Sequence, residues 1–305
     1  MKIDIDLLIF HDKCMDGICS AWATKQFNQI NEIIGCKAGV SIDITKYYEK
    51  NIVFVDICPP HENITELAKY NKILVLDHHK SAKDSFDKNG IPDNVTFVFD
   101  INRSGCQIVW DYYSKNMKRP WFIDYVADRD LWTWKLENSK YINLALHHDD
   151  HLINFDSIDK LYSNKNIKIK NLVEKGKMIE SIQNKQMEFE ESRSVIAKIK
   201  IENKDYIVRL ATCIPSLRSD LGNRLANKII RDGDKSYYPD FSAVYSFDPK
   251  SEEWWISLRA NNSSPDLSVL ASCLGGGGHK NASGFTIKKP NTLTTVFEII
   301  GARWQ

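Results

Sequence analysis

The stretch Ile73-Leu74-Val75-Leu76-Asp77-His78-His79-Lys80 decides how this chain is read. An apolar run breaks off at an acid and two adjacent imidazoles. An apolar run of strand length that ends in ionisable residues is how an α/β sheet presents chemistry at its carboxyl edge. Two further runs end alike: Leu7-Leu8-Ile9-Phe10 runs into His11-Asp12, and Ile52-Val53-Phe54-Val55 runs into Asp56. If the three strands are neighbours, His11, Asp56, Asp77 and His78 converge on one edge as a set of hard metal donors.

The surrounding pattern supports such a sheet. After the first strand, Asp16-Gly17 leads into residues 18–27, whose apolar positions recur at helical spacing. Asp16 is thus expected at a strand-to-helix turn, with Gly17 allowing a close backbone approach. Pro59-Pro60 stops the second strand before a helix over about 62–69, and a polar loop is expected from the His pair to Gly90. A strand over Val95–Phe99 follows. Ser104 is placed to cap a helix over about 106–113, and Pro120 to open one that passes Ile123 and Val126 and ends near Ala127-Asp128-Arg129-Asp130. This alternation predicts an α/β domain with a mostly parallel sheet over residues 1–160.

Residues 161–203 carry Ile169, Leu172, Val173, Ile179, Ile182 and Met187 among many charged residues and no proline, which predicts one long exposed helical connector. No clean heptad is sustained, so a homodimer built on that helix is only the alternative reading. A second, smaller α/β domain is expected over 204–305. Its strands are read near 206–211, 241–246, 254–259 and 285–287, and its helices near 221–230, 267–273 and 293–300. The run Gly275-Gly276-Gly277-Gly278-His279 is read as a loop pinned between a helix and a strand.

Composition narrows the function classes. The 305 residues hold 41 basic and 40 acidic side chains, a net charge of +1, which gives no electrostatic footprint for duplex DNA but leaves room for a short anionic ligand. Seven cysteines without a CxxC pair argue against both a disulfide framework and a thiolate zinc knuckle, and point to the reducing cytoplasm. Met1-Lys2-Ile3-Asp4-Ile5-Asp6 carries acids where a signal peptide needs a basic then apolar run. No stretch approaches the ~20 apolar residues of a spanning helix, so no membrane partner is expected.

Carboxylates and neutral imidazoles suit Mn²⁺, Mg²⁺, Fe²⁺ or Zn²⁺, and two such ions about 3.5–4 Å apart can activate water and stabilise the leaving oxygen of a phosphoester. Asp56 is the candidate bridging carboxylate. His11, Asp16, His78 and Asp128 are the candidates for the remaining ligands. Asp77 is expected to orient an imidazole, and His79 to reach a substrate phosphate. Gly276, Gly277 and Gly278 offer bare N–H groups that can cradle phosphate, and Arg259, at the end of a strand, is a bidentate phosphate donor. Each has a bland alternative: a cap or surface group for any single acid or His, a flexible loop for the glycines, a salt bridge for Arg259. His147-His148-Asp149-Asp150-His151 follows a helical segment with no strand before it and is read as a solvated helix end.

Taken together the motifs resemble the DHH phosphoesterase family, in the branch with a DHH-associated C-terminal domain. The residues that carry the resemblance are Leu8-Ile9-Phe10-His11 with Asp16-Gly17, Val55-Asp56, Leu76-Asp77-His78-His79, and an acid near Ala127-Asp128-Arg129-Asp130. Ser257-Leu258-Arg259 and Gly275-Gly276-Gly277-Gly278-His279-Lys280-Asn281-Ala282-Ser283-Gly284-Phe285 complete it, close to the family's GGGHxxAxG signature. The resemblance implies a bilobed enzyme with a manganese-type dinuclear centre in a cleft between its lobes. By it, His78 is a metal ligand, His79 binds phosphate, Asp56 bridges, and Arg259 and His279 hold substrate phosphates. The fourth-motif acid is expected to be Asp128, nearer the predicted helix terminus, rather than Asp130.

The expected function is metal-dependent hydrolysis of short single-stranded oligonucleotides or dinucleotides to nucleoside monophosphates. The alternatives are a phosphatase acting on 3′-phosphoadenosine 5′-phosphate and a nucleotide- or RNA-binding module that has lost turnover. One departure bears on the metal. The family's first motif has two acids, as DxDG, and here the tetrapeptide is Cys14-Met15-Asp16-Gly17. A Cys14 thiolate would be a soft ligand that biases the position toward Zn²⁺ or Fe²⁺.

Overall fold

The computed structural model describes residues 4–37, 46–148, 154–163 and 165–301. The chain forms two compact units, 1–180 and 181–305.

Unit 1 is an α/β sandwich. Its strands are β1 (Asp4–His11), β2 (Gln29–Cys36), β3 (Asn51–Val55), β4 (Lys72–Asp77) and β5 (Val95–Phe99). Their order is β2-β1-β3-β4-β5, and every pairing is parallel. Register sets Phe10 beside Val55 and Val55 beside Leu76, so three strand ends stand in a row. The strand order reverses between β1 and β3, which is where open α/β sheets hold their ligands.

Alternation along the strands feeds two cores. Leu8, Val53, Val55 and Leu76 pack with α1 (Met15–Phe27), and Leu7, Ile9, Phe54 and Val75 pack with α2 (His61–Ala68) and Phe86 of α3 (Lys80–Asn89). The first core is closed by α4 (Gly105–Ser114), α5 (Trp121–Asp130), α6 (Ser139–His148) and α7 (Phe155–Ser163). Within it Trp22 stacks on Trp110 and donates its indole N–H to Asp159 at 2.8 Å.

Three expectations for this unit change. The polar stretch after His79 is the helix α3, held by Lys80–Asp84 and Lys83–Asp87 ion pairs one turn apart and by buried Phe86. Residues 29–36 add the edge strand β2, whose mostly solvent-facing residues hide the apolar run that marks the central strands. The connector does hold one long helix, α8 (Lys165–Ser192), but it is not wholly solvated: Ile169, Leu172 and Val173 pack into the unit 1 core, and residues 195–201 form a strand.

Unit 2 is built on a seven-stranded mixed sheet of β6 (Val195–Ile201), β7 (Lys204–Thr212), β10 (Phe241–Asp248), β11 (Glu253–Arg259), β12 (Gly277–His279), β13 (Ala282–Ile287) and β14 (Phe297–Gly301). Its order is β12-β13-β11-β10-β7-β6-β14, and β8 (Ile230–Asp232) pairs with β9 (Lys235–Tyr237) separately. Helix α10 (Leu267–Cys273) packs on one core and α9 (Arg218–Ala226) on another. The helix expected over 293–300 is a single turn, α11 (Leu293–Val296), after which Phe297 is buried and the chain pairs with β6.

Among the described residues no helix is long and apolar enough to cross a membrane. Asp149, Asp150 and His151 lie outside the described residues.

Candidate metal centre and phosphate contacts

The parallel register of β1, β3 and β4 delivers the first three motifs to one place. Asp56, the residue after β3, has φ 56°, a left-handed conformation rare for a side chain larger than glycine, and its N–H donates to Leu76 O at 3.0 Å. That strained turn aims its carboxylate along the sheet edge. His78 Nε2 lies 3.1 Å from Asp56 Oδ1, and His11 Nδ1 lies 3.4 Å from Asp56 Oδ2. Asp56 therefore faces an imidazole with each oxygen.

Asp16 enters from the first turn of α1. It is fully buried, and its carboxylate accepts from the N–H groups of Gly105 (2.6 Å) and Cys106 (3.0 Å) at the start of α4. The same carboxylate stands 3.7 Å from His78 Nε2. Gly17 is required beside it, because a Cβ there would fall 2.2 Å from His11 O. Gly105 is required for the same kind of reason: its Cβ would fall 2.6 Å from Asp56 Cβ and 3.0 Å from Asp16 Oδ2.

Of the two candidate acids, Asp130 stands beside this cluster and Asp128, the expected one, does not. Asp130 Oδ2 lies 3.4 Å from His78 Nε2. Asp128 is spent on its own loop, where it accepts from the N–H groups of Lys135 (2.8 Å) and Leu136 (3.1 Å) and from Thr133 Oγ1. Helix α5 buries Phe122, Ile123, Val126, Ala127 and Asp128, and half-buried Asp130, its last residue, stands one turn on from Val126 and Ala127. Hydrogen-bond partners, not burial, separate the two acids. Gly105 was also passed over, although a glycine just inside a capped helix start signals a close neighbour.

Asp77 orients His79 rather than His78. Its Oδ1 faces His79 Nδ1 at 2.7 Å and accepts the His78 and His79 backbone N–H groups. Cys14 precedes α1, and it joins His11 and Asp56 in a group whose ligand atoms all lie within 4.8 Å of one another. Asp16, His78 and Asp130 form a second such group. Asp12 takes no part in either. Its Oδ1 accepts the Lys13 N–H at 2.9 Å, and its side chain lies over Gly35.

The electrostatics describe a site loaded with protons in place of cations. Burial, then the charges of Asp56 and Asp130, push Asp16 up to about 7, and burial also raises Asp130. Burial opposes a charge on His78, yet the surrounding Asp130, Asp56 and Asp16 outweigh it and raise the imidazole to about 10. Burial likewise opposes ionisation of Asp56, but the His11 and His78 imidazoles beside it hold it well below the usual carboxylate range. Burial works against a charged His79, and Asp77 reverses the sign. Burial, with Asp56 and Asp130, raises the Cys14 thiol well above its ordinary value.

Buried Asp56 Oδ2, Asp77 Oδ2 and Asp130 Oδ2 have no hydrogen-bond donor among the described residues. Buried carboxylate oxygens left in that condition are costly unless a cation meets them. With imidazoles alongside, the donor set fits divalent metal ions.

In unit 2 the sheet register brings the phosphate candidates to one level. Arg259 of β11 and His279 of β12 both pair with Ala282 of β13, from opposite sides, so their side chains leave the same face of the sheet. Arg259 Nη2 donates to Ser219 Oγ at 2.8 Å, and Nη1 to Leu258 O at 2.8 Å. The glycines are not a loose cradle. Gly275, at φ 76°, ends α10, and the N–H of Gly276 donates back to Ala271 O at 2.8 Å. Gly276 is thus committed to the helix cap, and Gly277 and Gly278 lie in β12 opposite Gly284 and Ser283.

No family model matches the chain. A protein of Acanthamoeba polyphaga mimivirus, described as uncharacterized protein R106, is 28% identical over 312 residues, spanning 93% of this chain and 68% of that one. Oligoribonuclease NrnB of Bacillus subtilis (strain 168) is 25% identical over 300 residues, spanning 90% of this chain and 71% of that one. Among solved structures, the pGpG-specific phosphodiesterase PggH from Vibrio cholerae aligns over 93% of this chain and 94% of its own at 15% identity, with a TM-score of 0.44.

Proposed function

We propose that this chain, which belongs to the DHH phosphoesterase superfamily, is a metal-dependent phosphodiesterase that hydrolyses short single-stranded oligonucleotides or dinucleotides to nucleoside monophosphates. The observation that carries the reading is the convergence of His11, Asp56 and His78 from adjacent parallel strand ends with Asp16 and Asp130 from two helices. The likeness to oligoribonuclease NrnB, which runs through both units, supports the substrate class.

Asp56 would bridge two divalent ions, with His11 on one side and Asp16, His78 and Asp130 on the other. Ions held there supply an activated water and offset charge on the phosphoryl oxygens. The protein's own part is to hold these ligands still: the α4 N–H groups fix Asp16, and the turn at Asp56 fixes the bridge. His79, oriented by Asp77 and with its pKa raised by that carboxylate against the effect of burial, would donate to a non-bridging phosphate oxygen. Within unit 2, Arg259 and His279 are the candidate phosphate-binding pair, Arg259 being steadied by Ser219.

The test is to incubate purified protein with labelled di- to pentaribonucleotides and, separately, 3′-phosphoadenosine 5′-phosphate, across Mn²⁺, Mg²⁺, Co²⁺ and Zn²⁺. Mononucleotide release from the oligonucleotides is expected. Release of inorganic phosphate alone, or no product with any metal while a control nuclease digests the same substrates, would sink the proposal.

A further inference from the structure

We propose that Cys14 is a thiolate ligand, which makes the metal centre asymmetric: one position is bounded by His11, Asp56 and the soft donor Cys14, and the other by His78 and the two carboxylates Asp16 and Asp130. The inference rests on the metal centre proposed above and adds which ions its two halves prefer.

Three observations carry it. The sulfur, the His11 ring nitrogen and an Asp56 oxygen lie within 4.8 Å of one another, a spread one cation can draw together. Asp56 Oδ2, on the His11 side of that carboxylate, is buried and accepts no hydrogen bond among the described residues. Of the two acids nearest in sequence, Asp12 is bonded to the Lys13 N–H and lies over Gly35, and Asp16 is held by the Gly105 and Cys106 N–H groups in the other cluster. If an ion binds on the His11 side, Cys14 is the donor left to complete its shell.

The position also suits the charged sulfur. Cys14 sits at the N-terminus of the 13-residue α1, where the helix dipole and the Gly17 N–H favour a thiolate. A dication held by His11 and Asp56 would favour the bound thiolate. Binding forms an S–metal bond and releases the thiol proton to water. Thiolate favours Zn²⁺, Co²⁺ or Fe²⁺, whereas carboxylate and imidazole serve Mn²⁺ or Mg²⁺ as well. The two halves therefore select different ions, and a mixed-metal centre is the expected loaded form.

The experiment is spectroscopic. Metal-free full-length protein is titrated with Co²⁺ without oxygen, and the near-ultraviolet sulfur-to-cobalt charge-transfer band is followed. The wild-type protein should develop a band that saturates at one thiolate per chain. Cys14→Ser should lose the band while keeping visible cobalt absorption from the other position. Cys14→Asp should also lose it and bind Mn²⁺ at least about ten-fold more tightly than wild type, on the scale of single-ligand changes. A wild-type spectrum without the band overturns the assignment by itself, even if neither variant folds. So does an undiminished band in folded Cys14→Ser. Absorbance does not depend on turnover, so an inactive protein that shows the band would refute the phosphodiesterase reading alone, and an active one without it would refute this inference alone.

Discussion

Replacing Gly105 with Ala should damage the metal centre far more than the fold. Alanine is the better helix former by about 1 kcal/mol, so on propensity alone the change would stabilise α4. Space decides otherwise. The new methyl group would stand 2.6 Å from Asp56 Cβ, where ordinary contact begins at 3.4 Å, so one of the two must retreat by about 0.8 Å. Asp56 cannot yield by turning a rotamer, because the obstructed atom is Cβ itself. Its backbone is held in a left-handed turn by the bond to Leu76 O. Overpacking of this kind costs about 1–3 kcal/mol, and after the helix gain the net loss is about 0–2 kcal/mol. That is a melting shift of a few degrees in a folded protein. A displacement near 1 Å in a catalytic constellation costs on the order of 10²-fold in rate, which sets the expected fall in kcat/KM. Calorimetric metal titration, thermal melting and initial rates on a short oligoribonucleotide make the comparison. A folded Gly105→Ala protein whose metal affinity and rate stay within two-fold of wild type would refute the claim that this contact positions the bridging carboxylate.

Asp130→Asn should weaken divalent-ion binding with little change in melting temperature. Asp128→Asn should do the reverse, costing about 1–3 kcal/mol because the Lys135 and Leu136 N–H groups lose a charged acceptor; paired titrations and melts separate the two. Metal uptake should release protons, since His78 near 10 and Asp16 near 7 must both give theirs up. Calorimetry in buffers of different ionisation enthalpy should find about one proton fewer released at pH 8.5 than at pH 6, because Asp16 has ionised by then. The raised Asp16 value also means that its contribution to metal-free stability is whole below 3.8 and lost as pH climbs through about 7; melts of metal-free protein between pH 5 and 8 should show that decline, and metal-loaded protein should not. Gly276→Ala should cost more than about 3 kcal/mol, since its Cβ would lie 2.0 Å from the backbone oxygen of Gly284; urea unfolding of the variant measures it.

The parts of unit 1 that could be read from sequence are those where one physical demand acts alone. Central strands are buried on both faces, so β1, β3 and β4 appear as unbroken apolar runs whose ends name His11, Asp56 and His78. The edge strand β2 answers to solvent on much of its length and carries no such run. The short helix α3 is polar apart from Phe86 and stands on ion pairs one turn apart, a weaker signal than periodicity. In unit 2, β14 exists because β6 offers it an edge, a demand made by residues about a hundred positions away. The glycine run misled for a related reason. Glycine permits exposed amides and it permits close packing, and only the neighbours Gly284 and Phe285 show that packing is its use at Gly276.

The choice between Asp128 and Asp130 shows how the site itself is encoded. Both acids stand near the end of α5, and burial alone favours Asp128, the more buried of the two. Partners decide between them. Asp130 meets His78, while Asp128 turns back to close its own loop. A metal centre of this kind is specified by the same elements that specify the core, carried further into polar side chains. The strand register places Asp56 and His78, the helices α1 and α5 bring Asp16 and Asp130, and a glycine stands at 17, against the His11 backbone, and at 105, against the Asp56 side chain, where there is no room for a Cβ. On that logic a substitution at such a glycine acts as a metal-site mutation although it removes no ligand.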